Sequence, residues 1–417
     1  MEPLALTSIV QSRLWKSTEK IWPNSIALSA KSALDMTSSP LVSPPPLKRR
    51  RVSLPERPCV AISSDISDPG EHGVSSRGSC PPHALRVFSW NVNGIDPFLP
   101  DNTPKITTFL SSPPQTEKPT THQSIRASLL DWSWPHIVCL QEVKIAPTDI
   151  KTQAAFKRQV NTSLAVENDG DHDGESPQDH HYDVHFSLPR DKYNATGFGG
   201  KVHGVCTLVR QDLPGVKIGT VKWDLEGRVI ICEMTTDQLA VINVYAVNGT
   251  MYDYRDPESG KVIGTRHDRK RSFHTHLCNE VKAYEAKGWN VVIIGDINIS
   301  RSSKDSFPQL RLGEAHVRNR ADFERKFITE LRMVDTFRFL KRDERKYTYR
   351  PTNKPWGEGG DRVDMALVTK GLSSRLEDAD MLDTEKDRGP SDHVPLYISL
   401  SAQSGDTPTW RRTGKDN

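Results

Sequence analysis

Residues 290–300 read NVVIIGDINIS. Val291 to Ile294 form an unbroken apolar run that gives way at once to Gly295, Asp296 and Asn298. A short run rich in β-branched residues predicts a buried strand. A carboxylate directly after it is costly to bury without a partner or a metal. The same pattern recurs on either side of this stretch. ALRVFSWNVNG (84–94) ends in Asn91 and Asn93, HIVCLQEVK (136–144) carries Gln141 and Glu142, and LAVINVYAVN (239–248) carries Tyr245 and Asn248. DRVDMALV (361–368) sets Asp364 in an apolar surround, and GPSDHVPL (389–396) presents Asp392 and His393 after a turn. Further strand-like runs, GVCTLVR, GRVIICEM, YTYR and VPLYISL, alternate with helical stretches at SIRASLLDWSW, Arg269–Lys287 and Ala321–Leu331. Strand meanders interleaved with helices predict a mixed α/β domain whose sheets are covered by helices.

This pattern occupies residues 85–402 of a 417-residue chain, which reads as one catalytic domain. Residues 1–84 are expected to be a disordered, basic, Pro/Ser-rich tail, and 403–417 a short polar one. With 35% hydrophobic residues, 29 Pro and a mean hydropathy of −0.58, the whole chain is too polar to be one uniformly packed globule. No apolar run is long enough to span a bilayer, so an integral membrane protein is excluded. The balance of 56 basic against 53 acidic residues, net +3, is too mild to demand or exclude a nucleic-acid partner. Lys48 to Arg51, four consecutive cations between prolines, suit an import receptor, which predicts a nuclear address. The amphipathic start with Arg13, Lys16 and Lys20 leaves a mitochondrial pool open, although Glu2 and Glu19 oppose it. None of the six cysteines forms a C-x-x-C pair, and Cys139, Cys206 and Cys232 sit in apolar runs as core residues. The acidic stretch 167–181 reads as a solvated loop rather than a metal site.

The polar residues at the strand ends suit metal-assisted attack on a phosphate ester. Mg²⁺ takes oxygen ligands and keeps several waters, so a few carboxylates such as Glu142 suffice. A carboxylate such as Asp296 aligns and deprotonates water. A histidine held by an aspartate, as His393 by Asp364, donates to a phosphate oxygen as charge develops. A Ser/His/Asp nucleophile lacks the G-x-S-x-G elbow that would support it.

SWNVNG, CLQEVK, EGRVII, VINVYAVN, IIGDIN, DRVDMALV and GPSDHVPL occur in an order that resembles the endonuclease/exonuclease/phosphatase superfamily. Glu226-Gly227-Arg228 before a strand is most similar to the exonuclease III-type apurinic/apyrimidinic endonucleases. The resemblance implies a four-layer α/β sandwich, DNase I-like, with two mixed β-sheets flanked by helices. It implies a divalent-metal-dependent phosphodiesterase, with Mg²⁺ or Mn²⁺, that cuts duplex DNA 5′ to abasic sites in base excision repair and trims 3′ ends, acting as a monomer. It places Asn93, Glu142 and Asp392 at the metal, with Asn91 supporting them. Asp296 would position or activate water, assisted by Asn298. His393, oriented by Asp364, would stabilise the pentacovalent phosphate, and Tyr245 and Asn248 would contact the scissile phosphate region.

The chain departs from the pattern in two places. Val247 stands where Y-x-P-N would have proline. Asp361 stands where relatives resembling the animal enzymes place an aromatic that packs on the abasic sugar, and Trp356 is a candidate substitute. The long segment 250–271 adds Arg266, Arg269, Lys270 and Arg271 as candidate phosphate grips. The alternatives are a broader DNase, a 3′-phosphodiesterase or an RNA exonuclease of the same fold, or a catalytically inactive nucleic-acid-binding protein.

Overall fold

The computed structural model describes residues 84–100, 124–163, 179–195 and 203–402. The basic cluster at 48–51, most of the acidic stretch and the segment from 403 onward lie outside the described residues, as do Cys59 and Cys80.

Among the described residues, sixteen strands occur in chain order. They are β1 (Leu85–Asn91), β2 (Ile137–Gln141), β3 (Tyr182–Ser187), β4 (Val205–Arg210), β5 (Val216–Gly219), β6 (Val229–Met234), β7 (Leu239–Tyr245) and β8 (Asp253–Arg255). There follow β9 (Val262–Thr265), β10 (Asn290–Asp296), β11 (Ser306–Phe307), β12 (Val334–Asp335), β13 (Gly360–Asp361), β14 (Asp364–Val368), β15 (Leu376–Met381) and β16 (Leu396–Leu400). The principal helices are α1 (Ile125–Asp131), α2 (Ile150–Asn161), α3 (Arg266–Glu285) and α4 (Glu314–Phe323), the last continuing as a π-helical stretch, Glu324–Glu330.

Two six-stranded sheets carry the fold, ordered β15-β16-β1-β2-β4-β3 and β12-β14-β10-β7-β6-β5. Each has one parallel pair at its centre, β1 with β2 and β7 with β10, among antiparallel neighbours. The inner faces meet through Val87, Ile137 and Ile398 of one sheet and Val241, Ile294 and Val368 of the other. The outer face of the first sheet packs Phe88, Trp90 and Leu140 against Ile125, Leu129, Phe156 and Val160 of α1 and α2. The outer face of the second packs Ile242, Val244 and Ile293 against Phe273, Leu277 and Val281 of α3 and Phe323 and Phe327 beyond it. Helix, sheet, sheet, helix is the four-layer sandwich that the sequence implied. Both faces of each sheet are covered, which explains why the central strands read as unbroken apolar runs.

A polar clamp crosses the inner layer. Gln141 Nε2 donates to Asn243 Oδ1 (2.8 Å) and Ser89 Oγ (3.0 Å), while Asn243 Nδ2 reaches Thr207 Oγ1 (3.1 Å). Gln141 therefore joins the sheets. Cys139, Cys206 and Cys232 are free and buried, as read from their apolar runs. YTYR is not a strand; Tyr349 makes only isolated bridges to Asp361 and His393. Strands β3 and β15 escaped the sequence reading, because YDVHFS and LEDADM mix charged with apolar residues at nearly every step. No helix among the described residues is long and apolar enough to cross a membrane.

Candidate active site and metal centre

The two parallel pairs end on the same side of the sandwich. Asn91 is the last residue of β1 and Glu142 follows β2; Tyr245 and Asp296 close β7 and β10 opposite one another. The antiparallel β14 starts there, with Asp364 in register with Asp296. The turn leading into β16 brings Asp392 and His393 to the same place. Gly295 is required by this arrangement: a Cβ on it would fall 2.0 Å from the Val244 carbonyl oxygen. Beyond the strands, Asn93, Glu142, Lys144 and Asn298 all adopt positive φ, between 51° and 56°. Left-handed backbone in non-glycine residues is held only where the surround over-determines it, which is common at active sites.

Asn91 is the hub. Its buried Nδ2 lies 3.0 Å from Glu142 Oε1 and 3.0 Å from Asp296 Oδ2, so one amide joins a carboxylate from each sheet. His393 Nδ1 lies 2.7 Å from Asp364 Oδ2. The His393 carbonyl accepts from Trp90 Nε1 (2.9 Å), and its N–H donates to Ser391 Oγ (3.0 Å), which donates to the Asn91 carbonyl (2.6 Å). The ring is thereby held by Asp364 and the backbone that carries it by Trp90 and Ser391. Asn298 donates from Nδ2 to Asp296 Oδ2 (3.1 Å) and the Ala246 carbonyl (3.1 Å).

The electrostatics divide these groups by role. Burial, then the neighbouring Asp364, push Asp296 up to about 8. Burial alone would lower His393, but the Asp364 carboxylate outweighs it and lifts the imidazole to about 10. Burial opposes ionisation of Glu142, yet Lys144 and hydrogen bonds from Asn91 and Tyr245 hold it below the usual carboxylate range. Tyr245 is raised well above its ordinary value by burial and by Glu142, so it is a hydrogen-bond donor and not a phenolate.

The donor set suits a hard divalent cation. Lys144 Nζ lies between Asn93 Oδ1 and Glu142 Oε2 (3.0 Å to the latter), so an ammonium already occupies the space between two of the three expected ligands. Asp364 Oδ1 is buried with no hydrogen-bond partner among the described residues. Asp296, Asp364 and His393 also converge within 4.8 Å of one another. Oxygen donors predominate, as Mg²⁺ and Mn²⁺ prefer.

These groups line an open cleft of about 250 Å³ that includes Glu142, Tyr245, Asn248, Asp296, Asn298, Asp392 and His393. Asn248 is exposed at its rim. Arg269 does not reach it: this guanidinium is 5% exposed and donates to Glu226 Oε1 (2.9 Å). The expected substrate grip is instead a structural ion pair, because burying Glu226 requires cations around it. Arg228 and Arg266 bind the same carboxylate at 3.0 and 2.5 Å. Trp356 also lies outside the cleft, its ring covered by Arg350 and Arg388. Besides Tyr245, the cleft wall carries Tyr349, whose ring centroid is 5.3 Å from that of His393. Asp361 does line the cleft, with its carboxylate engaged by Ser306 Oγ (2.6 Å), Ser300 Oγ (3.3 Å) and Arg311 (3.5 Å). Sequence reading missed the wall formed by Leu310, Arg311, His316, Asn319 and Arg320; its residues follow no apolar period and belong to no motif.

The sequence profile of the endonuclease/exonuclease/phosphatase family matches residues 88–393, a span that starts in β1 and ends at the histidine of this site. The chain belongs to that family. As an exonuclease III-like member it is a hydrolase of the nuclease type. It is similar to the exodeoxyribonuclease III of Haemophilus influenzae, at 27% identity over 228 residues, 50% of this chain and 80% of that protein. Among solved structures, the AP endonuclease LMAP from Leishmania major shares the fold with a TM-score of 0.53 and 17% identity, covering 77% of this chain and 88% of that one. The 3′ phosphatase NExo from Neisseria, bound to a product DNA hairpin, gives 0.51 and 20% over 76% of this chain and 100% of that one. An AP endonuclease from Archaeoglobus fulgidus gives 0.50 and 20% with the same coverages.

Proposed function

We propose that this family member is a divalent-metal-dependent phosphodiesterase that hydrolyses the DNA backbone 5′ to abasic sites, with trimming of 3′ ends, as a nuclear repair enzyme. The observation that carries the reading is Asn91, whose single amide holds Glu142 and Asp296 at 3.0 Å each beside the His393–Asp364 pair. Asn93, Glu142 and Asp392 would hold the metal, which supplies charge neutralisation at the phosphate and favours water as nucleophile. Asp296 accepts the proton of the attacking water in its ionised form, which a divalent cation held beside it would favour over the protonated form that burial and Asp364 favour, and Asn298 fixes its orientation. Imidazolium His393, charged through neutrality, donates to a phosphate oxygen as negative charge grows. Asn248 donates to the same group, and so does Tyr245 once its single O–H turns from Glu142 to the phosphate.

A second reading, a nuclease of the same chemistry without abasic preference, is favoured by one observation. Asp361 puts a carboxylate in the cleft wall, where an apolar surround would suit an abasic sugar. The test is a substrate panel: a duplex with a stable abasic analogue, an intact duplex, 3′-blocked ends and single-stranded RNA, each with Mg²⁺ or Mn²⁺. Incision confined to the abasic duplex supports the first reading. Equal cutting of intact duplex or RNA moves the protein to the second.

A further inference from the structure

Of the carboxylates that line the cleft among the described residues, Asp361 alone takes no part in the chemistry above. Its two oxygens differ. Oδ1 accepts from Ser306 Oγ (2.6 Å) and Ser300 Oγ (3.3 Å), so each serine has its single proton committed to it. Oδ2 meets Arg311 Nη2 at 3.5 Å, the outer limit of a hydrogen bond, and no other donor among the described residues. The Arg311 side chain is 60% exposed and that of Asp361 17%. A long contact to an exposed guanidinium leaves Oδ2 with lone pairs to share. The wall thus presents an acceptor with a donor next to it. A hydroxyl answers both, since its O–H donates to Oδ2 while its oxygen accepts from Arg311.

The backbone sets the distance of this pair from the reacting groups. Tyr349 bridges to Asp361 along one edge and to His393 along the other. Paired backbones lie about 5 Å apart, so Asp361 stands about 10 Å from His393. A phosphate at His393 and the sugar attached to it span that gap. Strand β13 is itself anchored by Ser306, the register partner of Asp361 in β11, and the same Ser306 holds Oδ1. Backbone and side chain therefore fix the carboxylate together.

We infer that Asp361, assisted by Arg311, reads a hydroxyl on the sugar next to the scissile phosphate, the C1′ hydroxyl that loss of a base leaves behind. The inference rests on the abasic-site reading above and gives it a specificity-determining residue. An intact nucleotide carries a base nitrogen at C1′, and a tetrahydrofuran analogue carries only hydrogen. An apolar pocket scarcely separates a hydroxyl from a hydrogen, whereas a site that bonds the hydroxyl disfavours the analogue without it. Both duplexes are incised, because the strand-end groups act on the phosphate; the rates differ.

The test uses the full chain with Mg²⁺ and three otherwise identical duplexes. One carries a natural abasic site made by enzymatic removal of uracil, one the tetrahydrofuran analogue, and one a single ribonucleotide, whose added hydroxyl is on C2′. The readout is the ratio of kcat/KM for the natural site to that for the analogue, which cancels any general loss of turnover. The wild-type ratio is expected at about 10 to 100, the range for a hydrogen bond to a charged group. It should fall to near one in Asp361→Leu. Asp361→Asn keeps an oxygen for the two serines and puts an NH₂ in place of Oδ2, so it should lower the ratio several-fold even if the leucine variant does not fold. Glu314→Gln, on an exposed ion pair of α4, should leave it unchanged. A wild-type ratio near one with incision of both duplexes keeps the abasic reading and overturns the hydroxyl reader. So does a ratio that survives in both Asp361 variants. An Asp361-dependent preference for the ribonucleotide duplex alone overturns the assignment to C1′. A wild-type chain that cuts none of the three, yet in EDTA binds the natural abasic duplex about tenfold more tightly than the analogue and loses that preference in Asp361→Asn, keeps the reader and refutes the hydrolytic reading.

Discussion

Asp364 Oδ2 lies 2.7 Å from His393 Nδ1, across 29 residues of chain and between the two sheets. One partner opens β14 and the other precedes β16, so the pair forms only when the sheets are stacked in this register. The ring's other nitrogen, Nε2, is left toward Asn91 at 3.5 Å and toward the cleft. His393→Ala should lower turnover by roughly two orders of magnitude or more, as removal of a general acid or of a charge-stabilising donor does. Asp364→Asn should cost a comparable amount by lowering the proton affinity of the ring. Steady-state kinetics with circular dichroism as a folding check decide this, and near-normal turnover in a folded His393→Ala protein would remove the residue from the chemistry.

The Asn91 amide makes a separable prediction. Asn91→Ala removes the donor that aligns Glu142, so the metal requirement should rise by about 10- to 100-fold, the usual effect of losing a group that orients a ligand. Titrating activity with Mg²⁺ measures it. A drop in turnover at saturating Mg²⁺ with no shift in the metal midpoint would place Asn91 on the Asp296 side only.

Glu226 is buried among three arginines, and Glu226→Gln leaves them with no shared anion. Loss of one partner of a buried ion cluster typically costs about 3–5 kcal/mol. Denaturant unfolding should show a loss of that order in Glu226→Gln, whereas Glu314→Gln, on the exposed face of α4, should change stability by under about 1 kcal/mol.

These residues also show what was legible in the sequence. The site was readable wherever a polar residue interrupts a buried strand, because the apolar run locates it in the core and its own chemistry then stands out. Asn91, Glu142, Asp296, Asp364 and His393 were found this way. Arg269 was misjudged because a cation near a helix start looks solvated until its anion is known, and Glu226 lies 43 residues earlier. Arg311 and Arg320 were unreadable because a cleft wall of loop and helix start has neither periodicity nor motif. Tyr349, and not Trp356, lies in the cleft wall, where isolated bridges to Asp361 and His393 pin its backbone.

Acid should destabilise the fold through its buried neutral histidines. Burial lowers His136 to about 3, with Arg210 and Arg86 adding to the effect, and lowers His203 to about 3, aided by Arg228. Burial brings His274 to about 4 against the pull of Asp322. Each folded value lies below the unfolded one near 6.5, so the unfolded chain binds more protons between them. The stabilisation is complete above about pH 6.5 and is lost as pH falls toward the folded values, by at most about 1.4 kcal/mol per pH unit for each histidine. Asp296 and His393, both raised in the fold, oppose this trend near neutrality, so the contribution is read as a difference: unfolding free energy from pH 7 to 5 should fall more shallowly in His136→Gln than in the wild-type chain. Equal slopes in the two proteins would show that His136 is not buried neutral.

The central claim is that the strand-end cluster is a metal-dependent hydrolase of DNA at abasic sites. The most direct measurement maps the product ends from an end-labelled duplex carrying one abasic analogue, with Mg²⁺ or with EDTA, for the wild-type chain and Asp296→Asn. The account predicts a single incision 5′ to the analogue that leaves a 3′-hydroxyl, absent in EDTA and lowered at least about 100-fold in Asp296→Asn. Incision that persists in EDTA or in Asp296→Asn, or a folded wild-type protein that leaves the duplex intact, would contradict it.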